Sequence, residues 1–135
     1  MLPFKLLGVS KGPVMTVIRD VMSTDLTIVS PATTIADAAT MMSTHQVGSA
    51  LVLDGDRLLG IFTERDVLRA VGSDFDAENH PVTEFMTKDP KTIGSQADAH
   101  EALESMFAFG FRHLPVLDEG RVVGIVSMRD VTPHG

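Results

Sequence analysis

The chain has 135 residues, with 11 Lys or Arg against 18 Asp or Glu, a formal net charge of -7, and no Cys, Trp or Tyr. The missing cysteine excludes a disulfide framework, a thiol nucleophile and a thiolate zinc site, and is compatible with a reducing cytoplasm, the expected location. The acidic balance argues against a nucleic-acid polymer or an anionic membrane as partner; apolar runs stay far short of the ~20 residues of a membrane span.

At 44% hydrophobic the chain can build a core, and its length suggests one domain. Residues 1–16 form an N-terminal extension, broken by Pro3, Gly8, Ser10 and Gly12 and unlike a secretory signal. Beyond it the chain repeats. A shift of 64 residues lays 20–67 on 84–131 without a gap, with thirteen identities in 48 positions. Most crowd into the end of the unit, among them Val52/Val116, Leu53/Leu117, Gly60/Gly124, Arg65/Arg129 and Asp66/Asp130.

Both copies predict β-α-β-β-α. Short β-like runs at 26–29 and 91–93 precede polar loops, and Thr34 and Asp98 then stand as N-caps, with Asp37 and Glu101 three residues on. Apolar stripes follow at helical spacing, Ile35, Ala38, Ala39 and Met42 in one copy and Ala99, Ala102, Leu103 and Met106 in the other. Strands at 49–53 and 114–117 lead through Gly-containing acidic turns into partner strands at 57–62 and 121–126. A second helix starts near residue 64 and ends at Gly72, residues 72–81 make an acidic connector, and Pro133 stops the corresponding helix of the second copy within about one turn.

Each copy ends on Gly, two apolar residues, a hydroxyl residue, any residue, Arg and Asp: Gly60 to Asp66 and Gly124 to Asp130. Hydroxyl and Asp have the spacing of a capping box, which requires no ligand. The Arg kept in both copies favours a ligand, since a strand-to-helix turn, an arginine and a carboxylate are the parts of a ribose-phosphate site.

GIFTERD at 60–66 and RHLPVLDEGRVVGIVSMRD at 112–130 resemble the tandem cystathionine-β-synthase (CBS) domain pair, or Bateman module, and most of all its small stand-alone bacterial members. The resemblance spans about 17–131. It implies an α/β (α+β) fold of two β-α-β-β-α repeats related by pseudo-two-fold symmetry, with repeat 1 over 17–71, a linker over 72–81 and repeat 2, its final helix truncated, over 82–135. It further implies clefts holding AMP, ADP, ATP, NAD or S-adenosylmethionine, with Mg accompanying a polyphosphate, and pairing into a homodimer. The expected role is a non-catalytic regulatory module that signals occupancy to a regulated protein in trans.

Carried onto this chain, the resemblance puts Asp66 and Asp130 on ribose hydroxyls and Thr63 and Ser127 on ribose or phosphate. Arg65, Arg129, Arg112 and His113 would meet phosphate, and the backbone near Val29 and Ile93 would meet adenine. The two sites differ, because Gly48 and Ser49 in repeat 1 stand where Arg112 and His113 stand in repeat 2. Alternatives are a ligand-free scaffold of the same fold and, with less support, a small hydrolase built on His113 and Asp130. His45 and His100 lack companions at metal-ligand spacing, so no metal site is expected.

Overall fold

The computed structural model describes residues 15–73 and 76–133. Most of the expected N-terminal extension, and two residues of the connector, lie outside that range.

In chain order the elements are α1 (Ile18–Val21), β1 (Ile28–Val29), α2 (Ile35–His45), β2 (Ser49–Asp54), β3 (Arg57–Thr63) and α3 (Glu64–Gly72). A 3-10 turn at Val82–Glu84 and β4 (Thr87–Lys88) lead into β5 (Ile93–Gly94), α4 (Ala99–Phe109), β6 (His113–Asp118), β7 (Arg121–Ser127) and α5 (Met128–Val131). The Thr34 cap works as the spacing predicts, while Asp98 caps one position earlier than Glu101. Thr34 accepts from the Asp37 N–H at 3.0 Å and Asp98 from the His100 N–H at 3.0 Å. Behind them Ile35, Ala38 and Met42, and Ala99, Ala102 and Met106, are buried. Each β-hairpin closes through two residues, between Asp54 and Arg57 and between Asp118 and Arg121. In the second, Glu119 and Gly120 both have positive φ, the backbone twist that suits a two-residue hairpin turn.

The strands form two sheets, β1-β2-β3-β4 and β5-β6-β7. In each, the first short strand runs parallel to the middle strand and the hairpin is antiparallel. β4 was not legible as a strand. It lies just before the second repeat, yet it pairs antiparallel with β3 of the first, Gly60 opposite Lys88 and Ile61 opposite Thr87. Ser23, ahead of the first repeat's β1, does the reverse. Its N–H and carbonyl exchange 2.9 Å bonds with Ile125 in β7.

The cores cross over in the same way. Ile18, Val21 and Met22 pack with Ile93, Ala102, Leu114 and Val126 of the second repeat. Val82, Phe85 and Met86 pack with Val29, Ile35, Val52 and Phe62 of the first. Glycine permits both crossings. A Cβ at Gly60 would lie 2.6 Å from Met86 Sδ and 2.7 Å from the Thr87 carbonyl oxygen; at Gly124 it would lie 2.5 Å from Met22 Sδ and 2.9 Å from the Ser23 oxygen. The fold is thus a mixed α+β pair of repeats, each sheet edged by the segment that leads into the other repeat.

Candidate functional site

The crossing segments place two cavities at equivalent positions. The larger, of about 600 Å³, is walled by Ile61, Thr63, Asp66 and their helix on one side and by Thr87, Lys91, Phe111, Arg112 and His113 on the other. The smaller, of about 260 Å³, is walled by Ile125, Ser127 and Asp130 and by Ser23, Thr27, Val47, Gly48 and Ser49. A shift of 64 residues turns each of these larger-cavity residues into its smaller-cavity counterpart. Each cavity is therefore roofed by both repeats, as Thr87 and Ser23 show.

The hydroxyl and carboxylate of each motif are locally committed. Asp66 Oδ2 accepts from the Thr63 N–H at 2.8 Å and from its hydroxyl at 3.1 Å. Asp130 Oδ2 does the same with Ser127, at 2.8 and 3.0 Å. Both are capping boxes, so the cap and the ligand reading share one pair of residues. They differ in the second oxygen. Asp66 Oδ1 accepts from Arg69 Nη1 at 2.8 Å, with the Asp66 side chain 6% exposed. Position 133, the equivalent of Arg69, is Pro133, beyond the end of α5. Asp130 is accordingly exposed, and its Oδ1 has no hydrogen-bond partner among the described residues.

Charge separates the cavities further. Arg65, Arg69, Lys91 and Arg112 line the larger one alongside Glu64 and Asp66. Among the described residues no Lys or Arg lines the smaller, whose carboxylates are Asp25 and Asp130. Lys91 Nζ stands 4.8 Å over the Phe109 ring, which stacks on Phe111 at 5.9 Å, and the Arg69 guanidinium lies 5.3 Å over Phe85.

His113 lines both cavities. Burial pushes its imidazole below the ordinary histidine range; Glu64 and Asp130 oppose that shift and Arg112 adds to it. The ring is a neutral wall between the two spaces at pH 7, close enough to Gly48 that a Cβ there would sit 3.4 Å from Nε2.

Of the expected site residues, Thr63, Arg65, Asp66, Arg112 and His113 gather at the larger cavity, and Ser127, Asp130 and again His113 at the smaller. Arg129 is exposed and lines neither. Val29 and Ile93 line neither: their side chains are buried in the two cores, and the residues two earlier, Thr27 and Lys91, reach the cavities instead. Arg69 and Lys91 were not anticipated. Lys91 was open to discovery through its alignment with Thr27, and Arg69 through its three-residue spacing from Asp66. Ser127 donates its hydroxyl hydrogen to Asp130, which is not the order of a Ser-His-Asp relay. His45 accepts or donates at Thr27 Oγ1 through Nδ1 at 2.9 Å, and the described residues contain no group of three metal-ligating side chains. No helix among them is long and apolar enough to cross a membrane.

Comparison with known proteins agrees with this geometry. The family model for the CBS domain matches twice, over 18–73 and 82–133. A 17.7 kDa protein of Acidianus ambivalens is 40% identical over 119 residues, 86% of this chain and 71% of its own length. Among solved structures, a CBS-domain-containing protein of Agrobacterium tumefaciens is 33% identical with a TM-score of 0.80, the match covering 86% of this chain and 96% of that one. A CBS domain protein of Pyrobaculum aerophilum, solved in complex with AMP, is 27% identical with a TM-score of 0.80, covering 85% of this chain and 89% of that one. The chain belongs to the CBS-domain family, as a tandem pair of repeats within one polypeptide.

Proposed function

We propose that the protein is a regulatory module that binds an adenine nucleotide in the larger cavity and signals its occupancy to a partner protein. The observation that carries this reading is the set of four cations, Arg65, Arg69, Lys91 and Arg112, arrayed around a 600 Å³ space beside Thr63 and Asp66. Guanidinium groups and an ammonium there suit a phosphate, and Thr63 opens a nine-residue helix whose positive dipole end favours the same charge. The AMP in the Pyrobaculum relative supports an adenosine phosphate as the ligand class. ADP, ATP with Mg, and NAD belong to the same class.

The cavity walls come from both repeats, so a ligand ties Arg65 and Arg69 on one to Lys91 and Arg112 on the other. A partner that prefers the tied arrangement would experience the ligand as a population shift. We place this module in the cytoplasm, where adenine nucleotides abound, and as a homodimer. The exposed Leu68 and Val71 of α3 and Phe107 and Phe109 of α4 supply apolar surface for a second copy.

The test is to denature the purified protein, identify any released small molecule by mass spectrometry, and titrate the emptied protein calorimetrically with AMP, ATP, NAD and S-adenosylmethionine. Lacking Trp and Tyr, the chain absorbs little in the near ultraviolet, so a retained adenine shows directly in the spectrum. Absence of both a released nucleotide and any titration heat would overturn the proposal in favour of a ligand-free scaffold.

A further inference from the structure

We infer that the ring of Phe109 and a phosphate in the larger cavity compete for one ammonium, that of Lys91, so that occupancy of the cavity is read on the outer end of α4. This deepens the nucleotide reading above and rests on it.

Lys91 belongs to two places at once. It lines the larger cavity together with Arg65, Arg69 and Arg112. Yet its Nζ stands 4.8 Å over the ring of Phe109, the last residue of α4, which is 60% exposed and lines neither cavity. Arg69 is tied to Asp66 by an ion pair, whereas Lys91 has none among the described residues. An exposed ring holds a cation weakly beside a charge-assisted hydrogen bond to a phosphate oxygen, and the four-carbon lysine stem is free to swing. A phosphate within reach of Lys91 therefore takes the ammonium off the ring.

The first repeat shows that this contact is built into the fold. A shift of 64 residues turns Lys91 and Phe109 into Thr27 and His45. His45 is likewise the last residue of its helix, and Thr27, which lines the smaller cavity, meets it through Oγ1 and Nδ1 at 2.9 Å. Each repeat thus ties a cavity-lining residue ahead of its first strand to the end of its long helix. In the first repeat the tie is a hydrogen bond from a buried threonine. In the second it is a long cation on an exposed ring, and only there does the tie carry a charge that an anion can draw away. Phe109 is well placed to register the loss. It stacks on Phe111, a wall of the larger cavity, at 5.9 Å, and it belongs to the apolar surface offered to a second copy. Taking the ammonium from its face changes the surface that a partner meets.

The experiment is a double-mutant cycle on the full chain, with AMP affinity read by calorimetry. Both side chains are exposed, so the variants should fold as the parent does. Phe109→Leu is expected to tighten AMP binding by about threefold, the strength of an exposed cation–π contact, because the phosphate no longer competes with a ring. Lys91→Met keeps an apolar stem without the charge and should weaken AMP binding by about tenfold. Adding Phe109→Leu to Lys91→Met should then change nothing further. Phe109→Trp supplies a reporter, the sole indole in a chain without Trp, and acrylamide should quench it more readily once AMP saturates the protein. Unchanged or weaker AMP binding in Phe109→Leu overturns the inference. So does a tightening that persists alongside Lys91→Met, or an indole whose quenching AMP does not alter. Each of those results leaves AMP at the larger cavity intact. Failure of AMP to bind the parent chain instead removes the nucleotide reading, and this inference with it.

Discussion

The crossing of the two repeats is most directly tested at Gly60. Its hypothetical Cβ falls 2.6 Å from Met86 Sδ and 2.7 Å from the Thr87 carbonyl oxygen. The thioether can swing aside at little cost. The carbonyl belongs to β4, held by its pairing of Lys88 with Gly60 and Thr87 with Ile61, and cannot retreat without loosening that ladder. Gly60→Ala therefore forces the strand outward by several tenths of an ångström, an overpacking that costs about 2 kcal/mol. For a domain of this size that loss lowers Tm by about 6–10 °C. Thr87 lines the larger cavity, so the same substitution should also raise the Kd for AMP. Differential scanning calorimetry and isothermal titration of the purified variant measure both effects. Gly72→Ala is the control, since a Cβ at that helical position meets nothing within 4 Å and alanine favours a helix. If Gly60→Ala melts within about 1 °C of the parent, β4 is not wedged against β3 as described, and the crossed architecture fails as the source of the cavity wall.

Three further outcomes follow from the site. Arg112→Ala should weaken AMP binding about tenfold while leaving the fold unchanged; added salt should narrow the gap between variant and parent, because Arg112 is exposed and its attraction is screened. Asp66→Ala should cost about 2 kcal/mol and Asp130→Ala about 1 kcal/mol in denaturant unfolding, since both remove a capping box but only Asp66 is buried with an arginine on its other oxygen. The ligand-free protein should lose stability as pH falls below the ordinary histidine value of 6.5, because burial holds His113 neutral when folded while the unfolded chain takes up the proton. An anionic ligand beside the ring favours the protonated form, so AMP binding should tighten over the same window and take up a proton; calorimetry of His113→Asn in buffers of different ionisation enthalpy should show both effects reduced.

The repeat, its β-α-β-β-α order, the helix caps and the early end at Pro133 were legible because each is a local signal. Thr34 and Asp98 cap their helices from within three residues, and the apolar stripes behind them bury the faces that their period predicts. The crossing was not legible. Met22 and Ser23, and Met86 and Thr87, carry no strand periodicity, and their partners lie in the other repeat, so only tertiary packing assigns them. The two motifs do not place their arginines alike. Arg129 follows Ser127 at the start of a four-residue helix and is exposed without lining a cavity, whereas Arg65, its counterpart, lines the larger one. The expectation for Val29 and Ile93 concerns their backbone; their side chains are buried in the two cores, and the polar positions two residues earlier, Thr27 and Lys91, line the cavities.

Duplication alone would have produced two equal cavities, since the pairing of Ser23 with β7 mirrors that of Thr87 with β3. Their difference comes from four aligned positions. Lys91, Arg112 and His113 against Thr27, Gly48 and Ser49 decide which cavity carries cationic side chains. The fourth, Arg69 against Pro133, acts through backbone. An arginine on the second turn of α3 binds back to Asp66 and closes it, whereas proline, with no N–H to extend a helix, ends α5 before any such residue can reach Asp130. The same truncation that shortens the second repeat thus exposes its carboxylate. Because His113 stands in the walls of both cavities, the charge of whatever fills the first is felt beside Asp130 in the second.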